Sequence, residues 1–257
     1  MTPLKLDIIR TVREAYGGAW AHIGEMLRLI WLPGLLYMGT SIVATYIDPR
    51  EQLLLSLLLN VVALFLWPII AVTWHRFILI GDAPAGRFHL HFGRREARFL
   101  MISIFLFLLL LPGMLMAIAG TALAEEHPQS TTGSLLGFVG MMLILVALYF
   151  FVRLSLLLPA AAVDDRIDAG LVLERTRGNF WRMVAVFALV VLPIVVCLLL
   201  LGALAQSIPA LSILVAAAFA LISIFFAVVN VAVLSVVYRE LVGPPGTQAP
   251  VTDDDDY

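Results

Sequence analysis

Charge is what this sequence has least of. Sixteen basic and eighteen acidic residues make up 13% of its 257 positions, whereas 62% are apolar; soluble domains carry about 25% charged and about 45–50% apolar residues. So few polar side chains cannot cover a water-facing surface, which excludes a soluble protein and leaves an integral membrane protein. The near balance of sign, a net −2, excludes nucleic acid as a partner, because a groove that tracks phosphates needs a strong positive excess. A single cysteine, Cys197, excludes an internal disulfide. Lys5 is the only lysine against fifteen arginines, a bias associated with GC-rich bacterial genomes. Chemistry is scarce too. No H-E-x-x-H, G-x-S-x-G, P-loop or C-x-x-C motif occurs, so neither an enzyme nor a bound cofactor is expected. His89-x-His91, with His75 and Asp82 nearby, reads as loop histidines close to headgroups rather than as a metal site.

What the sequence has in abundance is long uncharged runs, over residues 29–47, 52–75, 99–124, 127–152 and 183–238. About 20 helical residues, rising 1.5 Å each, cross a hydrocarbon core of about 30 Å. The first four runs are one span each. The fifth holds two, broken at Gln206-Ser207-Ile208-Pro209. Six spans result, near 29–47, 52–75, 99–124, 135–158, 184–206 and 212–237. They make residues 1–242 a single polytopic, all-α membrane domain, followed by an acidic tail, 243–257, expected to be disordered.

Orientation follows from the basic residues. Lys5, Arg10, Arg13, Arg28, Arg76, Arg87, Arg94, Arg95, Arg98, Arg153, Arg166, Arg175, Arg177, Arg182 and Arg239 fall on one side, and Arg50 alone on the other. Both termini and the two longer loops are therefore expected in the cytoplasm, with the chain in a bacterial inner membrane. The amino terminus alternates charged and apolar residues, unlike a signal peptide, so the first span is expected to direct its own insertion. Trp20, Trp31, Trp74 and Trp181 fall near the inner boundary, where an aromatic belt would lie.

A repeat runs through the chain. Leu32-Pro33-Gly34, Leu111-Pro112-Gly113 and Leu192-Pro193 recur in the odd spans, 79 and 81 residues apart. Trp20, Phe99 and Phe180 precede each proline by thirteen positions, and Arg76, Arg153 and Arg239 follow it by 43, 41 and 46. Units of about 80 residues, 5–80, 87–160 and 163–241, would each hold an amphipathic approach segment, a proline-bearing span, an outer turn and a span closed by arginine. Two spans per unit keep the units in the same sense, which predicts three helical hairpins around an axis along the membrane normal. The approach segments, 6–13, 88–98 and 163–183, are expected as cytoplasmic interfacial helices. In the last, Asp164 or Asp165 would cap the start while Val163, Ile167 and Leu171 share one face.

Arg153-Leu154-Ser155-Leu156-Leu157-Leu158-Pro159, the pair Asp164-Asp165, Thr176-Arg177-Gly178-Asn179-Phe180-Trp181-Arg182 and Tyr238-Arg239-Glu240-Leu241 together resemble the membrane domain fused to some bacterial glycerophosphodiester phosphodiesterases. Related six-span inner-membrane proteins lack the catalytic domain. The resemblance covers residues 150–241 and implies a multi-pass helical fold. The phosphodiesterase barrel is absent here, so no activity is implied. Val172 and Leu173 stand where the family usually has a serine.

No Asp or Glu falls inside a span, which argues against ion-coupled transport. Asn60 and Asn230 are expected to make interhelical hydrogen bonds. Arg76, Arg153 and Arg239, at the inner ends of the even spans, either snorkel as anchors or form a basic ring. With Arg175, Arg177 and Arg182 such a ring would grip lipid phosphate or a partner's acidic segment. Arg153 is the deepest by sequence and the first candidate. The expected function is non-enzymatic: organising anionic phospholipid, or assisting another membrane protein or complex. The alternative is a small-molecule or lipid permease with a cavity among the proline-kinked helices.

Overall fold

The structure, a computed structural model, describes residues 5–82, 90–127, 131–208 and 212–246. Every regular element among them is helical: α1 (Ile8–Ala21), α2 (Ile23–Thr45), α3 (Leu53–Ile80), α4 (Arg94–Glu126), α5 (Thr131–Leu154), α6 (Leu157–Ala162), α7 (Ala169–Arg175), α8 (Phe180–Ser207) and α9 (Ser212–Leu241). Six helical stretches are long and apolar enough to cross a membrane: α2, α3, α4, α5 continued by α6, α8 and α9. This is the architecture of a multi-pass membrane protein. Helix is what such a sequence must form, because hydrocarbon offers no partner to an unpaired backbone group.

The helices outrun the uncharged stretches. Backbone hydrogen bonding continues into water until a cap stops it, so α4 takes in Arg94, Arg95 and Arg98 at one end and Glu125-Glu126 at the other. The second approach segment is therefore the first turns of α4 and not a separate helix; its beginning, with Arg87 and His89, lies outside the described residues, as do Pro209 and the acidic run 253–256 of the tail. Helix α3 ends on Gly81, whose φ of 65° suits a residue without Cβ. Pro33, Pro112 and Pro193 sit inside α2, α4 and α8, which run on through them.

The closest packing in the molecule joins α4 to α5. A Cβ on Gly120 would fall 2.3 Å from the backbone nitrogen of Gly137, and one on Gly140 would fall 2.5 Å from that of Ala117. Small residues let membrane helices approach to backbone contact, where van der Waals packing holds them. The signal was present in the sequence as Gly113 and Gly120 seven residues apart, facing Gly133, Gly137 and Gly140.

The best-buried helix is the second half of α9, from Val228 to Tyr238, which is packed by α1, α3 and α8. Leu54, Leu115, Leu145 and Leu199 point outward, as a lipid-facing surface would. Helix α1 buries Thr11, Ala15 and Ala19, one residue per turn, against α9 and α8. The Tyr16 hydroxyl donates to the carbonyl of Val190 on α8 at 2.9 Å, and its burial raises its pKa.

Three expectations change at this level. Trp74 is 1% exposed, stacked on Phe77 and donating its indole N–H to Val228 O at 3.1 Å; it belongs to the core, while Trp20 and Trp181 are exposed. Asn60 bonds to Ser56 O within its own helix, at 2.8 Å, because its exposed position faces no other helix. The last approach segment does not begin its helix at 163. Asp164 adopts a left-handed φ of 60°, which breaks the helix there, and Asp168 caps α7 instead by accepting from Leu171 N.

Candidate functional site

The arginines gather at one end of the bundle, where α3, α5 and α9 finish and α4 and α8 start. Arg153 is the buried one, with 7% exposure. Its Nε donates to Thr176 Oγ1 at 2.9 Å, its Nη1 to the Tyr149 hydroxyl and its Nη2 to the carbonyl of Leu173, while its plane lies 5.0 Å from the Tyr149 ring centroid. All of these partners are neutral protein groups on α5 and the α7 region. The first candidate for phosphate thus acts as a clamp between two segments of its own chain.

The Thr176–Arg182 stretch holds the amino-terminal segment. Gly178 takes a φ of 78°, turning the chain so that Asn179 Oδ1 accepts from Leu6 N at 3.0 Å while Arg182 Nη1 donates to Leu6 O at 2.8 Å. Arg239 pairs with Glu14 on α1, and the neighbouring Glu240 pairs with Arg10 at 2.5 Å. Arg175 and Arg177 are exposed. The closing arginines Arg76, Arg153 and Arg239 therefore take different partners.

Arg76 belongs to the polar centre of this end. Its Nε and Nη2 both donate to Asp82 Oδ2, at 2.8 and 2.6 Å, and its Nη1 donates to Ala162 O at 3.3 Å. Asp164 lies 3.6 Å from Arg76, 2.5 Å from Arg95 and 3.8 Å from Arg98. Three guanidiniums around one carboxylate explain why the chain tolerates a left-handed aspartate there, a conformation that costs most residues about 1–2 kcal/mol. The adjacent Asp165 accepts from the Tyr238 hydroxyl at 2.8 Å and from Gly246 N at 3.0 Å. The pair thus ties α3, α4 and α9 together, a role that its reading as a helix cap missed.

Between these groups opens a cavity of about 370 Å³, bounded by Arg76, Asp82, Arg94, Arg95, Glu96 and Asp164, with His91 beside them and Val72 and Thr73 on the α3 side. This lies within the size range of small-ligand sites. Sequence reasoning had Arg76 here, but it placed Asp82 with the histidines and gave Glu96 no role.

His75 is not a loop histidine. It is fully buried in α3, with Nδ1 2.8 Å from Ser235 Oγ on α9. The same Ser235 hydroxyl lies 2.9 Å from Val231 O, so it joins His75 to the α9 backbone. The His75 Nε2 has no hydrogen-bond partner among the described residues. Among the described residues no group of His, Cys, Asp or Glu is placed to hold a metal ion.

Compared with known proteins, the chain matches no family model, no curated protein and no solved structure. The site is accordingly read from its own geometry.

Proposed function

We propose that this protein is a non-enzymatic multi-pass membrane protein that binds phospholipid headgroups at its arginine-rich end and so organises lipid, or presents it to another membrane component. The observation that carries the reading is the 370 Å³ cavity lined by Arg76, Arg94 and Arg95 at the mouth of two membrane-crossing helices. Guanidinium groups bind phosphate through paired, charge-assisted hydrogen bonds, and at a partly dehydrated boundary those bonds strengthen. Arg94 has no partner among the described residues and Arg95 uses only its Nε, in the pair with Asp164. The phosphate role thus moves from Arg153 to the start of α4. Arg175 and Arg177, exposed on α7 and beyond its end, would add about 1 kcal/mol each toward an anionic leaflet.

The reading places this end in the cytoplasm of a bacterium, from the arginine bias, and treats the fold as three related hairpins with α1 and α7 at the interface. Two observations support the repeat: α2 lies on α3, α4 on α5 and α8 on α9; and two of the three closing arginines meet the approach segment of the next unit, while Arg76 meets that of the third. Arg153 reaches the α7 region, Arg239 reaches Glu14 of α1, and Arg76 shares a cavity with residues 91–96.

Native mass spectrometry of co-purified phospholipid tests the function. Arg94→Ala should lose several-fold more lipid than Arg175→Ala. Equal losses would mean that the arginines merely sense the leaflet's charge, and no loss in either would remove lipid binding from this end of the protein.

A further inference from the structure

Among the described residues the cavity carries both signs of charge in equal number. Arg76, Arg94 and Arg95 face Asp82, Glu96 and Asp164. A ligand bearing only negative charge would approach two arginines but also the carboxylates beside them, and would gain little on balance.

The hydrogen bonds show which atoms are engaged. Both Asp164 oxygens face arginines. Asp82 presents Oδ2 to Arg76, and Glu96 presents Oε2 to Gly93 N at 2.8 Å. Asp82 Oδ1 and Glu96 Oε1 have no partner among the described residues. They are carboxylate acceptors on the wall of a cavity whose donors, Arg94 and the outer nitrogens of Arg95, also lack one among the described residues. A ligand matching this wall carries a phosphate and, a few bonds away, a cation with N–H groups to donate.

We infer that the cavity recognises a phosphoethanolamine-type zwitterion, in the form of the phosphatidylethanolamine headgroup: phosphate on Arg94 and Arg95, primary ammonium on Asp82 Oδ1 and Glu96 Oε1. The inference rests on the headgroup-binding function proposed above and deepens it. A quaternary ammonium has no N–H to give those oxygens, and a glycerol headgroup has no cation. Discrimination therefore comes from the charge-assisted hydrogen bonds that, of the three headgroups, only the primary ammonium can make to these two oxygens.

The test uses the purified full chain with phosphatidylethanolamine, phosphatidylcholine and phosphatidylglycerol of matched acyl chains, and reads retained lipid by native mass spectrometry. Wild type should retain phosphatidylethanolamine about tenfold over the other two, equivalent to about 1.4 kcal/mol. In the double variant Asp82→Asn/Glu96→Gln, whose amide oxygens still accept from Arg76 and Gly93, that preference should vanish while phosphatidylglycerol retention holds. Equal retention of the three lipids by wild type, or a preference that survives the double substitution, overturns the inference and leaves the headgroup-binding function standing. Loss of all three overturns both. Soluble phosphoethanolamine separates the sources: failure to displace the lipid at micromolar concentration supports the lipid as ligand, and displacement at that concentration overturns it in favour of the free zwitterion.

Discussion

Arg153 Nε donates to Thr176 Oγ1 across 2.9 Å, and the same hydroxyl donates to Val172 O at 2.8 Å, so one threonine joins the end of α5 to α7. The threonine is fully buried, and among the described residues nothing else accepts from that nitrogen. Replacing the hydroxyl by a methyl leaves a buried charged donor unpaired, at a cost of about 1.5–3 kcal/mol. Thr176→Val should therefore lower the thermal midpoint in detergent by several degrees, whereas Thr176→Ser should stay near wild type. Similar midpoints for all three proteins would show that the relay contributes nothing.

The α4–α5 contact makes an asymmetric prediction. Gly120→Ala would drive a methyl into the backbone of Gly137, a contact of 2.3 Å with an atom that cannot rotate away, and should cost at least the 1–3 kcal/mol or so of an overpacked core. Gly137→Ala meets nothing within 4 Å and removes a flexible helical glycine, so it should be neutral or stabilising by about 0.5–1 kcal/mol. Unfolding of the two variants side by side decides it. Equal destabilisation would contradict the packing.

The amino-terminal segment should depend on Asn179. In Asn179→Ala, the buried Leu6 N–H loses its acceptor, while the Arg182 bond to Leu6 O remains. Amide exchange over residues 6–12 should accelerate by about tenfold or more, consistent with the loss of about 1–3 kcal/mol for an unpaired buried donor, while exchange in α5 stays unchanged. Unaltered exchange would mean that the segment is held by its apolar contacts.

Orientation has a direct readout. Thr132, Ser207 and Gly170 are all exposed, so a cysteine at each, in a Cys197→Ser background, is reachable from one side or the other. An impermeant thiol reagent on intact cells should label positions 132 and 207 and spare 170. Labelling of 170 alone would invert the topology argued from the arginines.

Composition and the placement of charge determined most of the architecture. The uncharged runs needed no tertiary information, because a continuous apolar segment of about 20 residues can satisfy its backbone in hydrocarbon within itself only as a helix, and all six appear as long apolar helices. Helix ends were less legible. Asp164 lies in a stretch where Val163, Ile167 and Leu171 favour a helix, and the local pattern cannot register three arginines from α3 and α4 converging on its carboxylate.

Which arginines are open to a ligand was decided only by the tertiary structure. In the sequence Arg76, Arg94, Arg153, Arg182 and Arg239 are all basic residues beside apolar runs, and the pattern favoured Arg153 as the ligand's partner because apolar residues continue beyond it. Their states depend on acceptors far along the chain: Thr176 is 23 residues from Arg153, Leu6 is 176 from Arg182, and Glu14 is 225 from Arg239. A hydrogen bond forms over about 3 Å and takes no account of sequence separation, so only folding could engage Arg153 within the protein and leave Arg94 facing an open cavity.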